Sequence, residues 1–175
     1  MTVRYITPLL VFSAIVTLLF TNTAVSGVYV IPSFILGLIF WNISEYSFHR
    51  FWFHEKRYPR KLKKYLSNGH VFHHRYPDNT DELRLPMSLT IPFSLLYAGG
   101  YYLLFGITNL GFFYSGIIGG MFFYEFMHYA AHHLKLKNRF FRYMRGYHMK
   151  HHHKNIKSNF MVSNPLLDYL FKSSS

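Results

Sequence analysis

LPMSLTIPFSLLYAGGYYLLFGITNLGFFYSGIIGGMFFY, residues 85–124, carries no ionisable acid or base except tyrosine across forty residues. A helix needs roughly 20 apolar residues to cross a bilayer, and this stretch is about twice that. Gly106, Ile107, Thr108 and Asn109 divide it into two apolar runs, a short turn signal. The stretch therefore reads as a helical hairpin. A second uncharged stretch of equal length runs from Tyr5 to Ser44 and is divided by Thr21, Asn22, Thr23, Ser26 and Gly27. The expected fold is an all-α integral membrane protein, a single domain with four transmembrane helices in two hairpins. The spans are expected at roughly 5–20, 28–48, 86–105 and 110–132, with a cytosolic helical cap built from 49–84 and 133–175.

Charge placement orients these hairpins. The 175 residues are 50% hydrophobic and 21% aromatic, yet the formal net charge is +12. Of nineteen Lys and Arg, Arg4 precedes the first stretch, nine lie between Arg50 and Arg84, and nine between Lys135 and Lys172. Neither hairpin turn carries one. By the positive-inside rule both termini and the whole cap face the cytoplasm. Arg4 and the apolar run after it also have the outline of a cleaved signal peptide, but the leading segment is weakly basic and the run is as long as a span. A pI near 9.9 suits nucleic acid as well, yet no nucleic-acid-binding signature accompanies the charge, and the basic residues flank the spans. No nucleic-acid partner is expected; basic loops beside a bilayer fix topology and meet anionic headgroups. Cysteine is absent, so any metal must be held by nitrogen and oxygen.

Nitrogen is abundant. Twelve histidines fall into four groups outside the uncharged stretches: His49 and His54; His70, His73 and His74; His128, His132 and His133; His148, His151, His152 and His153. Imidazole is the commonest metal-ligating side chain. Helical residues three or four apart share a face, so His70, His73 and His74 are expected to converge, as are His128 with His132, and His148 with His151 and His152. His49 and His54 are five apart, roughly 140° round an α-helix, so they serve different metals or sit where the helix ends. His133 and His153 fall off the shared faces. Ten histidines remain, enough for two ions at four to six ligands each. Uncomplexed, such a crowd would repel whenever protonated, and metal binding needs the neutral rings.

The segments EYSFHRFWFH (Glu45–His54), GHVFHHRYP (Gly69–Pro77), LRLPMSL (Leu83–Leu89), FMHYAAHH (Phe126–His133), YHMKHHHKN (Tyr147–Asn155) and SNFMVSNPLLDYLF (Ser158–Phe171) occur in this order. In that set the chain resembles the fatty acid hydroxylase and sterol desaturase superfamily of membrane oxygenases, and most closely its fatty acid 2-hydroxylase branch. The resemblance covers roughly residues 40–172. It implies a dimetal site whose ligands map onto His49, His54, His70, His73, His74, His128, His132, His148, His151 and His152. His133, His153, Glu45, Glu125, Tyr147, Asn155 and Asp168 are candidates for orienting those rings through hydrogen bonds.

The activity implied is O2-dependent hydroxylation of a C–H bond in a lipid acyl chain. The cofactors implied are two metal ions, iron where O2 is activated, although zinc also accepts an all-nitrogen donor set. The same centre supports a second reading, a lipid or sterol desaturase or methyl oxidase, and a third is a metal-binding membrane protein without catalysis. Some relatives carry a fused haem-binding electron-transfer domain. These 175 residues leave no room for one, so an external electron-transfer protein is the expected partner, beside the lipid substrate and the membrane. The tail reads LLDYLF where the family usually has Trp before the Asp, which bears on substrate choice. Phe51, Trp52, Phe53, Phe122, Phe123 and Tyr124 are candidates to line an acyl route, and Arg75 or Lys150 to hold an acidic headgroup.

Overall fold

A computed structural model describes residues 25–54, 59, 61, 68–79 and 87–175. The first expected span, 5–20, lies outside the described residues. Among them every regular element is helical. A 3-10 turn at Gly27–Tyr29 leads into α1, Val30–Ser47, which widens without a break into a π-helical turn at Phe48–Phe53. Then come α2, Asn68–Arg75; α3, Met87–Phe105; α4, Leu110–His133; α5, Arg139–His153; and α6, Leu166–Leu170. Among the described residues, two helices are long and apolar enough to cross a membrane, Gly27–Phe53 with 27 residues and Leu110–His133 with 24. The apolar part of α3, Ile91–Phe105, is shorter than that. The described residues fall into two compact units, described separately below.

The first unit contains residues 25–41 and 87–120. Its α3–α4 turn is made where the sequence has Gly106-Ile-Thr-Asn109. Gly106 adopts φ 69° and Asn109 φ 58°, the left-handed region that Gly and Asn tolerate best. Asn109 is completely buried, and its side-chain amide is fully used. Oδ1 accepts from the Ser26 amide at 3.0 Å, and Nδ2 donates to the Ser26 carbonyl at 3.0 Å. The Tyr101 hydroxyl donates to the Thr108 carbonyl at 3.0 Å and meets Ser33 Oγ at 2.9 Å. Thus the buried polar groups of Asn109 and Tyr101 at the turn are satisfied within the chain. Below the turn α1 and α4 cross in backbone contact. A methyl group at Gly37 would strike the Phe113 carbonyl oxygen, and one at Gly116 the Phe34 carbonyl oxygen. Gly120 gives its space to Trp41, completing a small-xxx-small pattern of the kind used by membrane helices. Leu103 and Leu104 are 83% and 76% exposed on α3, the placement of side chains that meet lipid tails.

The second unit holds residues 42–54, 59, 61, 68–79 and 121–175 among those described, and with them all twelve histidines. Its apolar centre is Tyr46, Phe160 and Met161 with Leu167 against them. The loop between α5 and α6 runs through this centre with its backbone buried, so its amides need acceptors. Two buried carboxylates supply them. Asp168 accepts from the amides of Phe160 at 3.1 Å and Met161 at 2.7 Å. Glu45 accepts from Val162 at 2.6 Å and Ser163 at 2.9 Å, and also from the Ser163 hydroxyl. Four consecutive amides are therefore held by one acid from α1 and one from α6. At the other end of α5, Asn138 caps the helix by accepting from the Phe140 amide at 2.8 Å.

Candidate metal centre

The histidine Nε2 and Nδ1 atoms converge in two groups of five. One is His49, His54, His70, His74 and His151; the other is His73, His128, His132, His148 and His152; within each, one nitrogen per ring lies within 4.8 Å of all the others. The division follows helix geometry. In an HxxHH run the first and last rings are four residues apart and face the same way, whereas the middle one is turned about 100° from the last. So His70 and His74 enter one group while His73 enters the other. On α5, His148 and His152 pair while His151 departs. Neither HxxHH run converges on one point, contrary to the expectation from spacing alone.

His49 and His54 share a group, so the option that they serve different metals falls. The π-helical turn at Phe48–Phe53 explains it. Its i to i+5 hydrogen bonding brings residues five apart onto one face, which an α-helix does for residues four apart. His54 sits immediately after that turn, and the His49 and His54 rings lie 5.3 Å apart at 19°. His128 and His132 make the equivalent pair on the ordinary α-helix α4. HxxxxH and HxxxH thus become geometrically alike, the wide turn absorbing one extra residue.

The two halves of the chain contribute to the groups in the same way. Each group takes a pair from the end of a long helix, an outer pair from the following HxxHH, and the middle histidine of the other half's HxxHH. His73 and His151 are the exchanged members. The groups also touch, with the His74 and His152 rings stacked at 4.1 Å and 13°.

The distances fit a coordination shell. In the first group Nε2 of His151 lies 2.9 Å from that of His49 and 3.1 Å from those of His54 and His74. His70 lies 3.1 Å from His54 and 3.0 Å from His74. In the second, His73 lies 2.9 Å from His128 and 3.1 Å from His132, and His132 is 3.0 Å from His148. Nitrogens bound at about 2.1 Å with right angles between them stand about 3.0 Å apart, whereas a tetrahedral set would stand about 3.4 Å apart. The close pairs in each group have the separation of neighbouring donors set at right angles, and the fifth donor of the second group, His152, lies within 4.8 Å of the other four.

Burial disfavours protonation of the rings outside the long apolar helices. His49, His73, His128, His148 and His151 are at most 1% exposed. Burial, reinforced by repulsion from His151, holds His54 down to about 3. Burial and neighbouring His132 do the same to His73, also about 3. His70 and His148 are lowered well below the usual imidazole value, first by burial and then by their neighbours. His151 is lowered to about 4 by burial, opposed by its bond to Ser158. That bond runs from Nδ1–H to the Ser158 carbonyl at 2.7 Å, which leaves the Nε2 lone pair pointing at the other rings. Both nitrogens of His152, and Nδ1 of His49, His73, His74 and His148, are buried without a hydrogen-bond partner. A buried nitrogen without a partner is costly, and a metal bound at one nitrogen of His152 would offset that cost for that atom.

The remaining candidates are placed as follows. His133 belongs to neither group; its ring packs 4.8 Å from Tyr129. His153 is exposed beyond both. Glu45 and Asp168 hold loop amides rather than rings. Glu125 is half-buried on α4. Tyr147 is buried, and its carbonyl accepts from Asn159 Nδ2 at 3.2 Å. Asn155 acts at one remove, because its carbonyl accepts from the Ser158 amide at 3.2 Å and so shapes the turn that reaches His151. Of the aromatic candidates, Phe53 packs 4.9 Å from His70 and Tyr124 5.6 Å from His128, while Phe51, Phe122 and Phe123 are exposed. Lys150 donates to the Ser175 carbonyl at 3.1 Å.

Ser158 and Asn159 are absent from the expected set. Asn159, at φ 57° and fully buried, has its amide on the Ser173 carbonyl at 2.8 Å and its Oδ1 on the Ser175 amide at 2.8 Å. It thereby fixes the turn whose carbonyl orients His151. A Ser-Asn pair ahead of an apolar run is a turn signal, but it does not reveal which ring the turn serves.

Comparison with known proteins bears on what the two groups are for. The profile of the fatty acid hydroxylase family matches residues 34–173. The chain is 29% identical over 160 residues to the ceramide very long chain fatty acid hydroxylase scs7 of Schizosaccharomyces pombe, covering 87% of this chain and 45% of that protein. It is 35% identical over 146 residues to the fatty acid 2-hydroxylase of Mus musculus, covering 79% of this chain and 38% of the relative. A solved structure described as full-length scs7p, with only the hydroxylase domain visible, superposes with a TM-score of 0.70 at 28% identity, covering 97% of this chain and 64% of the other. The chain thus spans less than half the length of these two curated relatives.

Proposed function

The chain belongs to the fatty acid hydroxylase family, and on that premise we propose that it is a membrane-bound, O2-dependent hydroxylase acting on the acyl chain of a lipid. The observation that carries the proposal is the pair of five-histidine groups, each with its donor nitrogens within 4.8 Å of one another and its closest pairs at 2.9–3.1 Å. One metal ion would be held by His49, His54, His70, His74 and His151, the second by His73, His128, His132, His148 and His152. Redox-active ions, iron foremost, supply the O2 chemistry; zinc fits the donors but has no redox chemistry of its own. Overall, RH, O2, two electrons and two protons give ROH and water, and the electrons come from an external electron-transfer protein.

The chain's own residues bind and orient. The Ser158 carbonyl holds His151 with its Nε2 lone pair directed at the other donors, and Asn159 next to it is anchored to the Tyr147 and Ser173 carbonyls. Glu45 and Asp168 tie the loop to α1 and α6. Burial keeps the rings unprotonated at neutral pH, so no proton competes for the donor nitrogens. Phe53 and Tyr124 pack against ligand rings and exclude water from that side. The topology proposed is four spans, with the histidines and both termini in the cytoplasm.

The test is expression in a host with a compatible electron donor, comparing its lipids with those of a His128→Ala control and measuring bound iron and zinc. A lipid species heavier by one oxygen, absent from the control, is expected. Iron-loaded protein with a working donor and no new hydroxylated lipid would refute the proposal.

A further inference from the structure

The outer surface of the second unit carries a patch that the metal centre does not use. α5 buries Met144, Tyr147, His148 and His151 and turns Arg139, Phe140, Arg142, Tyr143 and Lys150 outward. α6 turns Leu167 and Asp168 inward and leaves Leu166, Tyr169 and Leu170 outward, at positions i, i+3 and i+4 of one face. Leu166 and Leu170 are 68% and 67% exposed, among the most exposed large apolar side chains of the unit. The two faces are continuous, because the hydroxyls of Tyr143 and Tyr169 touch. Phe171 extends the ridge, half exposed while stacked on Tyr46 at 5.2 Å.

Charge says what fits there. Arg139, Arg142 and Lys150 on α5 and Lys172 just after α6 are exposed, and the one acid of α5 and α6, Asp168, is fully buried on loop amides. A second copy would bring like charges together. Protruding leucines, flanked by tyrosines and accompanied by exposed Arg and Lys, have the composition of an element lying in the headgroup region of a bilayer. We propose that α6, with the outer face of α5, seats on the anionic phospholipid surface of the membrane, Leu166 and Leu170 entering the acyl boundary and the basic side chains meeting phosphate. The inference rests on the chain being a membrane protein, and its failure can be told from failure of that reading.

The chain has no cysteine, so single-cysteine variants can be spin-labelled without background. Leu166→Cys and Leu170→Cys are compared with Asp78→Cys, an exposed acid in the turn after α2, and with Leu103→Cys on α3. The full chain is reconstituted in vesicles of phosphatidylcholine with or without phosphatidylserine, and nitroxide collisions with O2 and with a water-soluble nickel chelate are measured. At 166 and 170, O2 access is expected to exceed nickel access, more so with phosphatidylserine, while 78 shows the reverse. Arg142→Glu combined with Lys172→Glu is expected to move the label at 170 toward water. Nickel-dominated access at 166 and 170, with 103 still lipid-like, overturns the seat and leaves the membrane reading intact; nickel-dominated access at 103 as well overturns both. Labels shielded from both reagents place a second copy on the patch and overturn it too.

Discussion

Adjacent histidines in this chain do different work. His73 and His74 are bonded neighbours, yet they belong to different groups, as do His151 and His152. This yields a test by pairs. His73→Ala combined with His128→Ala removes two donors of one group and is expected to cost one bound metal, no more than either change alone. His73→Ala with His49→Ala touches both groups and is expected to cost two. Metal analysis of the purified variants decides, and equal loss in both pairs would contradict the division. His133→Ala and His153→Ala, outside both groups, are expected to keep full metal.

The titration of these rings has a definite sign. His54 and His73 sit near 3 in the folded chain against 6.5 when free, because burial penalises the charged form. As pH falls below 6.5 the unfolded chain takes up protons first, so the folded state loses stability between about 6.5 and 3 and keeps it above. The thermal midpoint of metal-free protein is therefore expected to be level above about pH 6.5 and to drop below it. A midpoint that rises on acidification would contradict the burial of these rings.

At the scale of elements, close helix contact and loop anchoring carry the stability. Gly116→Ala drives a methyl into the Phe34 carbonyl, which cannot yield without separating α1 from α4. Overpacking of this kind costs about 1–3 kcal/mol, read as a lower unfolding midpoint. Glu45→Ala strands the amides of Val162 and Ser163, at about 1–3 kcal/mol for each group. Glu45→Gln keeps one acceptor and is expected to lose less; equal loss in both would show that the carboxylate is not the anchor.

Elements also show what the sequence makes legible. Residues four apart on regular helices, His70 with His74 and His128 with His132, are read directly from their spacing. His49 and His54 are not, because nothing in FHRFWF announces that the helix will widen there. The exchange of His73 and His151 is hidden too, since it depends on how α2 and α5 pack within their unit. Glu45 and Asp168 are expected from the sequence to orient ligand rings, but their partners are backbone amides 117 and 7 residues away, which leave no side-chain signature.

For the whole molecule, the proposed topology puts the basic residues between the uncharged stretches on one side of the membrane and the α3–α4 turn on the other. A Thr108→Cys variant, at the α3–α4 turn, is expected to react with an impermeant thiol reagent only from outside intact cells, and a Lys137→Cys variant only after the membrane is opened. Labelling of both from the same side would contradict the topology. The central claim, that one small chain builds two five-histidine sites, is tested most directly by metal stoichiometry. Protein grown in iron-rich, zinc-poor medium and purified in mild detergent is expected to hold two metal ions per chain. A folded chain that saturates at one ion, or retains none, would contradict it.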